Sequence, residues 1–270
     1  MNLIDIHSHL EGPRFKNLDK VIKNAKKAGV KVIIQSGVNP TTNRKSLEIA
    51  KKYPEIKVSF GLYPIDALIK EVESGESNDF QRGIVEFDVD EELNWIEKNK
   101  DRCIAIGEVG LDYNWKDFQT DEMKEKQKDV FRKVLRLAKK IKKPVIIHSR
   151  KAEEDAIEIL EEEKQEKVIM HCFSAKKGLV KRGVENGYFF SIPPIITRLH
   201  HFQNLVKIVP LTQILTETDS PYLSPVAGET NEPANVSVTV KKIAEIKEIS
   251  EEEVAEQIWK NAEKVFGLSD

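Results

Sequence analysis

Only two cysteines, Cys103 and Cys172, occur in 270 residues. A disulfide-stapled scaffold is therefore excluded, and isolated thiols inside apolar, strand-like runs predict buried, reduced side chains. Long apolar runs are missing too. A membrane-spanning helix needs ~18 apolar residues in a row, and runs such as Val32-Ile33-Ile34 are far shorter. Met1 to His7 carries no basic stretch leading into a long apolar one, so no signal peptide is expected. With 13 glycines and 11 prolines, a collagen-like or loop-dominated chain is excluded. Aromatic residues make up 7%, and 43 basic against 45 acidic side chains leave a net charge of −2. Without an excess of positive charge there is no global attraction to polyanions, so nucleic acid would have to be held by a local patch or by bound cations. These absences predict a globular, cytoplasmic protein with no membrane anchor and no indicated obligate protein partner.

What is present is patterned. Apolar residues form 40% of the chain, enough for a sizeable core, and its charge is mostly lysine and glutamate. Short β-branched runs at 3–6, 31–35, 57–60, 103–106, 145–147, 167–170, 188–191 and 214–216 predict strands, most without alternation and so covered on both faces. Amphipathic stretches at 18–28, 42–52, 91–99, 120–141, 152–163, 177–186, 202–209 and 234–247 predict helices between them. Gly29 and Pro144 read as helix stops, and Ser250 with Glu253 as a capping box opening a further helix that ends at Gly267. Eight strands alternating with eight helices, with no linker, predict a (β/α)8 TIM barrel with an extra C-terminal helix, one domain over residues 1–270. An open doubly wound sheet has the same alternation. The stretch 65–86 is the least regular. In the Lys-rich segment 123–143, Val130, Val134, Leu137, Ala138 and Ile141 recur at helical spacing, which makes the cations a solvated face.

The chemistry gathers at strand ends. Of six histidines, His7 and His9 follow strand one, His148 strand five and His171 strand six, while Glu108 follows strand four and Asp219 strand eight. Residues two apart on an extended segment face the same side, so His7 and His9 share a cavity. In a barrel all six groups meet at the C-terminal mouth. Clustered carboxylates and imidazoles call for a cation. Four imidazoles and two carboxylates suffice for two divalent ions if one carboxylate bridges them, which predicts hydrolysis by activated water. Mg, Mn and Zn remain open as the metal.

His7-Ser8-His9, Ile106-Gly107-Glu108-Val109-Gly110-Leu111-Asp112-Tyr113, Val145-Ile146-Ile147-His148-Ser149-Arg150, His171-Cys172-Phe173-Ser174 and Glu217-Thr218-Asp219-Ser220-Pro221-Tyr222-Leu223 resemble the signature blocks of the TatD family of metal-dependent deoxyribonucleases. Asn231-Glu232-Pro233-Ala234 and the segment from Asn261 to Phe266 are similar as well. The resemblance implies an amidohydrolase-type barrel that hydrolyses DNA phosphodiesters at two metal ions. It implies His7, His9, Asp219 and Glu108 around one ion and Glu108, His148 and His171 around the other. Glu108 would then bridge, and Asp219 would double as general base.

The chain departs from that pattern at Gly61-Leu62-Tyr63-Pro64-Ile65, where the family usually has Gly-x-His-Pro-His; Asp66 follows unchanged. Tyr63 is thus a candidate substrate contact, and substrate choice is open. An ester, lactone or amide hydrolase using the same metal site is the alternative activity. Glu229 and Thr230 stand where basic residues are common. Arg150 and Arg198 are candidate phosphate contacts, with a salt bridge to a helix as the other reading of each. Asp112, Tyr113 and Asp5 are candidates for orienting a ligand, and His200 and His201 are expected at the surface.

Overall fold

Every one of the eight apolar runs becomes a strand. The computed structural model describes residues 1–68 and 86–268. Its strands are β1 (Leu3–Ser8), β2 (Val30–Ser36), β3 (Ile56–Leu62), β4 (Ala105–Asp112), β5 (Val145–Arg150), β6 (Val168–Met170), β7 (Phe189–Ile192) and β8 (Ile214–Thr216). They pair parallel in sequence order. The sheet returns on itself where Ser8 bridges Ser220 and the Thr216 hydroxyl donates to the Ile4 carbonyl at 2.6 Å. This is a (β/α)8 barrel, not an open sheet.

The helices are α1 (Leu18–Ala28), α2 (Pro40–Ala50), α3 (Pro64–Ala67), α4 (Val89–Lys98), α5 (Asp121–Lys140), α6 (Glu153–Glu162), α7 (Lys177–Glu185), α8 (His200–Ile208), α9 (Val236–Lys247) and α10 (Glu251–Phe266). Local chemistry sets their ends. Asn17 accepts from the Lys20 amide to start α1, and Gly29 closes it in the left-handed region at φ 94°. Asn39 and Thr42 cap each other and pull the start of α2 back to Pro40, two residues before the expected boundary. The predicted Ser250–Glu253 box opens α10, which ends at left-handed Gly267. Of the irregular stretch 65–86, the residues 69–85 lie outside the described residues.

Apolar side chains from the strands, among them Ile4, Ile6, Phe60, Ile106, Ile147, Met170 and Phe190, are fully buried. Each contributes about 1.5–3 kcal/mol relative to exposure, and that offsets the cost of the polar groups gathered at one end of the barrel. Strands β1, β4 and β5 run past their apolar segments to Ser8, Asp112 and Arg150. Hydropathy misplaced these ends because the strands continue through polar residues, which apolar runs do not mark. Cys103 and Cys172 both fall outside strands. Cys103 is buried and its thiol is pushed up to about 12 by burial, whereas Cys172 is only half-buried; both are free.

The Lys-rich helix α5 buries Phe131, Val134, Leu135, Leu137 and Ala138. Its cations meet carboxylates of neighbouring helices, as in Arg132–Glu162, Lys133–Asp90, Arg136–Glu163 and Lys140–Glu97. Those cations are charge-compensated, in keeping with a solvated face.

Gly61 in β3 ties this frame to the mouth. A Cβ there would stand 2.1 Å from the Gly37 carbonyl oxygen and 2.3 Å from the Glu108 amide nitrogen. Both obstacles are backbone, so β2 and β4 would have to part. Gly61→Ala should destabilise the protein by more than about 2 kcal/mol, read from urea unfolding; an unchanged midpoint would contradict this close packing.

Candidate metal centre

The barrel brings the expected donors to its C-terminal mouth. His7 and His9 project to the same side, their Nε2 atoms 3.1 Å apart. Glu108 Oε2 lies 3.5 Å from His7 Nε2 and 3.3 Å from His9 Nε2, and Asp219 Oδ1 lies 3.5 Å from each. His171 stacks on His7 with ring centroids 3.9 Å apart. Donor atoms of His7, His9 and Asp219 lie within 4.8 Å of one another, as do those of His7, Glu108 and His171. His148 belongs to neither trio but touches Glu108. Its Nδ1 is 2.8 Å from Glu108 Oε1 and its Nε2 3.1 Å from Asp112 Oδ2.

The ring nitrogens that point away from the cluster are all held. Ser36 serves both N-terminal imidazoles: its hydroxyl is 3.0 Å from His7 Nδ1 and its carbonyl oxygen 3.1 Å from His9 Nδ1. The carbonyl can only accept, so His9 carries its proton on Nδ1 when neutral and its Nε2 lone pair faces the cluster. Ser59 donates in turn to the Ser36 hydroxyl at 3.1 Å. Glu217 accepts from His171 Nδ1 at 2.6 Å and from the Cys172 amide at 2.9 Å. Such outer partners fix tautomer and ring orientation, as they do for metal-binding histidines generally. The sequence reading missed Ser36 and Glu217 as functional residues. A serine closing an otherwise apolar strand, and an acid two positions before Asp219, were the available signals.

Electrostatics follows from burial and mutual contact. Burial opposes ionisation of Glu108, yet hydrogen bonds from His148, His7 and His9 hold its carboxyl well below the usual range. For Asp219, burial pulls upward, but His9, His171 and His7 bring the group down. His7 is lowered, first by burial and then by the charge of His171, so it is a neutral ring at neutral pH. Burial also works against protonation of His148, but Asp112 and Glu108 on its two nitrogens raise it to about 9. Carboxylates and imidazoles facing one another within 3.5 Å in a largely buried cluster are the donor types of a divalent cation. The residues present fit such an ion.

The remaining candidates separate clearly. Asp112 touches His148 and accepts from the Tyr63 hydroxyl at 2.6 Å. Tyr63 is buried with its ring edge-on to His148, so it braces that imidazole. Tyr113 turns away and donates to Asp155 at 2.7 Å. Asp5 holds no imidazole; it accepts from the Thr218 amide at 2.8 Å and hydroxyl at 2.5 Å, fixing the segment before Asp219. Arg150 and Arg198 are exposed, and neither makes the salt bridge to a helix among the described residues. His200 and His201 open α8, away from the cluster.

A parallel eight-stranded barrel with imidazoles and carboxylates converging at its mouth defines the class: this is a metal-dependent hydrolase. It belongs to the TatD related DNase family, whose model matches residues 4–267. The chain is 40% identical over 268 residues to the human protein named deoxyribonuclease TATDN3, covering 98% of this chain and 95% of that one. It is 34% identical over 269 residues to an uncharacterized metal-dependent hydrolase of Methanocaldococcus jannaschii, covering 97% and 96%. The crystal structure of YJJV, a TatD homolog from Escherichia coli K12, shares the fold with a TM-score of 0.85 at 24% identity, over 99% of this chain and 98% of that chain. No helix among the described residues is long and apolar enough to cross a membrane.

Proposed function

We propose that this chain is a deoxyribonuclease that hydrolyses DNA phosphodiesters with two divalent cations, Mg, Mn or Zn, at the barrel mouth. The observation that supports it most directly is the convergence of His7, His9, Glu108, His171 and Asp219 in two donor trios sharing His7. When bound, such cations polarise the phosphodiester and make water nucleophilic near neutral pH. His7, His9 and Asp219 with Glu108 would hold one ion, and Glu108 with His171 and His148 the other.

The protein groups then have distinct tasks. Glu108, with oxygens facing His7, His9 and His148, keeps the two halves of the cluster in register. Asp219 has a side chain 18% exposed against 6% for Glu108. That exposure suits it to accept the proton of the attacking water and release it to solvent. Ser36, Glu217 and Asp112 keep the imidazoles aimed. The full donor set lies in one chain, and residues 1–270 are taken as one catalytic domain.

A second reading keeps the site and changes the substrate to an ester, lactone or amide. Tyr63 and Ile65 favour it, because both are buried and bring no imidazole to the mouth. The test is chelator-stripped, folded protein resupplied with Mg²⁺, Mn²⁺ or Zn²⁺ and given end-labelled single-stranded DNA beside a panel of esters and amides. Stripping should abolish cleavage, and resupply should restore it with DNA preferred by orders of magnitude in kcat/KM. Absence of DNA cleavage with every metal would overturn the nuclease assignment, and a preferred carbonyl substrate would install the second reading.

A further inference from the structure

The arginines sort by place. Arg44, Arg132, Arg136 and Arg182 each pair with a glutamate. Arg102 donates to Asn99 Oδ1. Arg14, Arg150 and Arg198 alone, among the described arginines, have neither a carboxylate partner nor a side-chain hydrogen bond to another side chain. All three follow or end strands at the mouth: Arg14 in the segment after β1, Arg150 at the end of β5, and Arg198 after β7. In a chain with 45 acidic residues, three cations without a carboxylate partner on segments at the mouth are available to an anionic ligand.

Arg14 also has an aromatic neighbour. Its guanidinium carbon sits 5.1 Å from the centroid of the Tyr222 ring, and Tyr222 is 43% exposed. Leu199 and Val226 are 40% and 51% exposed. Apart from Met1, these three are the exposed large apolar side chains among the described residues, and all lie on segments following β7 and β8. The platform is braced. The Tyr222 amide donates to the Asp219 carbonyl at 2.8 Å, the Asn231 amide to the Pro221 carbonyl at 3.1 Å, and Arg198 to the Ser224 carbonyl at 3.0 Å. An aromatic ring with a guanidinium over it and the remainder open to water is a surface on which a nucleobase stacks.

Building on the nuclease reading, we propose that Arg14 and Tyr222 form a subsite for an unpaired nucleobase of the strand being cut. The base stacks on Tyr222 and Arg14 meets a phosphate of the same strand. The chain from Tyr222 to Asp219 is short and hydrogen-bonded, so a base seated there sets the register of the backbone over the donor cluster.

The probe is a fluorescent single-stranded DNA with phosphorothioate links, which resists hydrolysis, together with the same strand lacking its bases. Each is titrated by anisotropy against metal-loaded protein. Tyr222→Ala should weaken the base-bearing strand about tenfold and leave the abasic strand within about twofold. Tyr222→Trp should restore binding, and Arg14→Ala should weaken both strands. Equal effects of Tyr222→Ala on both strands, or none on either, would overturn the subsite; an unchanged melting temperature confirms that the variant is folded. Cleavage of DNA that ignores Tyr222→Ala removes the subsite alone. Binding through Tyr222 without cleavage of any diester removes the nuclease reading alone.

Discussion

Glu108→Gln is expected to lower kcat/KM on DNA by about 10²-fold or more and to cost the protein at least one bound cation. The substitution keeps the shape of the side chain, so the barrel should stay folded. It replaces one carboxylate oxygen by an NH₂ that can only donate. Glu108 offers Oε1 to His148 and Oε2 to His7 and His9. An amide can satisfy one side of that arrangement but must turn a donor towards the other, and it carries no charge to hold a cation there. Elemental analysis of protein purified without chelators, paired with the cleavage assay, reads both effects. Unchanged metal stoichiometry together with a normal rate would exclude the bridging role.

Asp219→Asn should separate binding from turnover, with cleavage falling by roughly 10²–10⁴-fold and metal content falling much less. Asparagine is the informative choice because Asp219 sits in the left-handed region at φ 51°, which asparagine tolerates as well as aspartate. Its amide donates to the His7 carbonyl at 2.9 Å through the backbone, and that bond survives the change. The amide oxygen can still face His7 and His9, but it cannot take a proton from water. Parallel losses of metal and activity would assign Asp219 to ligation alone.

Much of the frame was legible because its signals are local. Continuous apolar runs gave the strands, and Gly29, the Ser250–Glu253 box and Gly267 gave helix ends through chemistry spanning a few residues. The convergence of the six candidate donors was legible because histidine and carboxylate directly after apolar strands are costly unless they share a partner. Ser36, Ser59 and Glu217 were not, since a serine or an acid acquires its task only from the strand beside it: Ser36 meets His7 and His9 across β1 and β2. Tyr63 shows the same limit. Its place in the sequence suggested a hand on the substrate, whereas its hydroxyl lies on Asp112 behind His148. Whether a side chain at a barrel mouth turns inward or outward depends on which acceptor its neighbours leave open, and spacing along one strand does not encode that.

The seam between β8 and β1 has a consequence for how the protein comes into being. Asp5 and Thr218, which secure it, are 213 positions apart, and His7 meets Asp219 only once that join is made. On the ribosome, His7 and His9 are translated early, and Asp219 follows only after the seven intervening strands. A nascent or prematurely terminated product that stops before β8 therefore lacks Asp219, and with it the His7–His9–Asp219 trio.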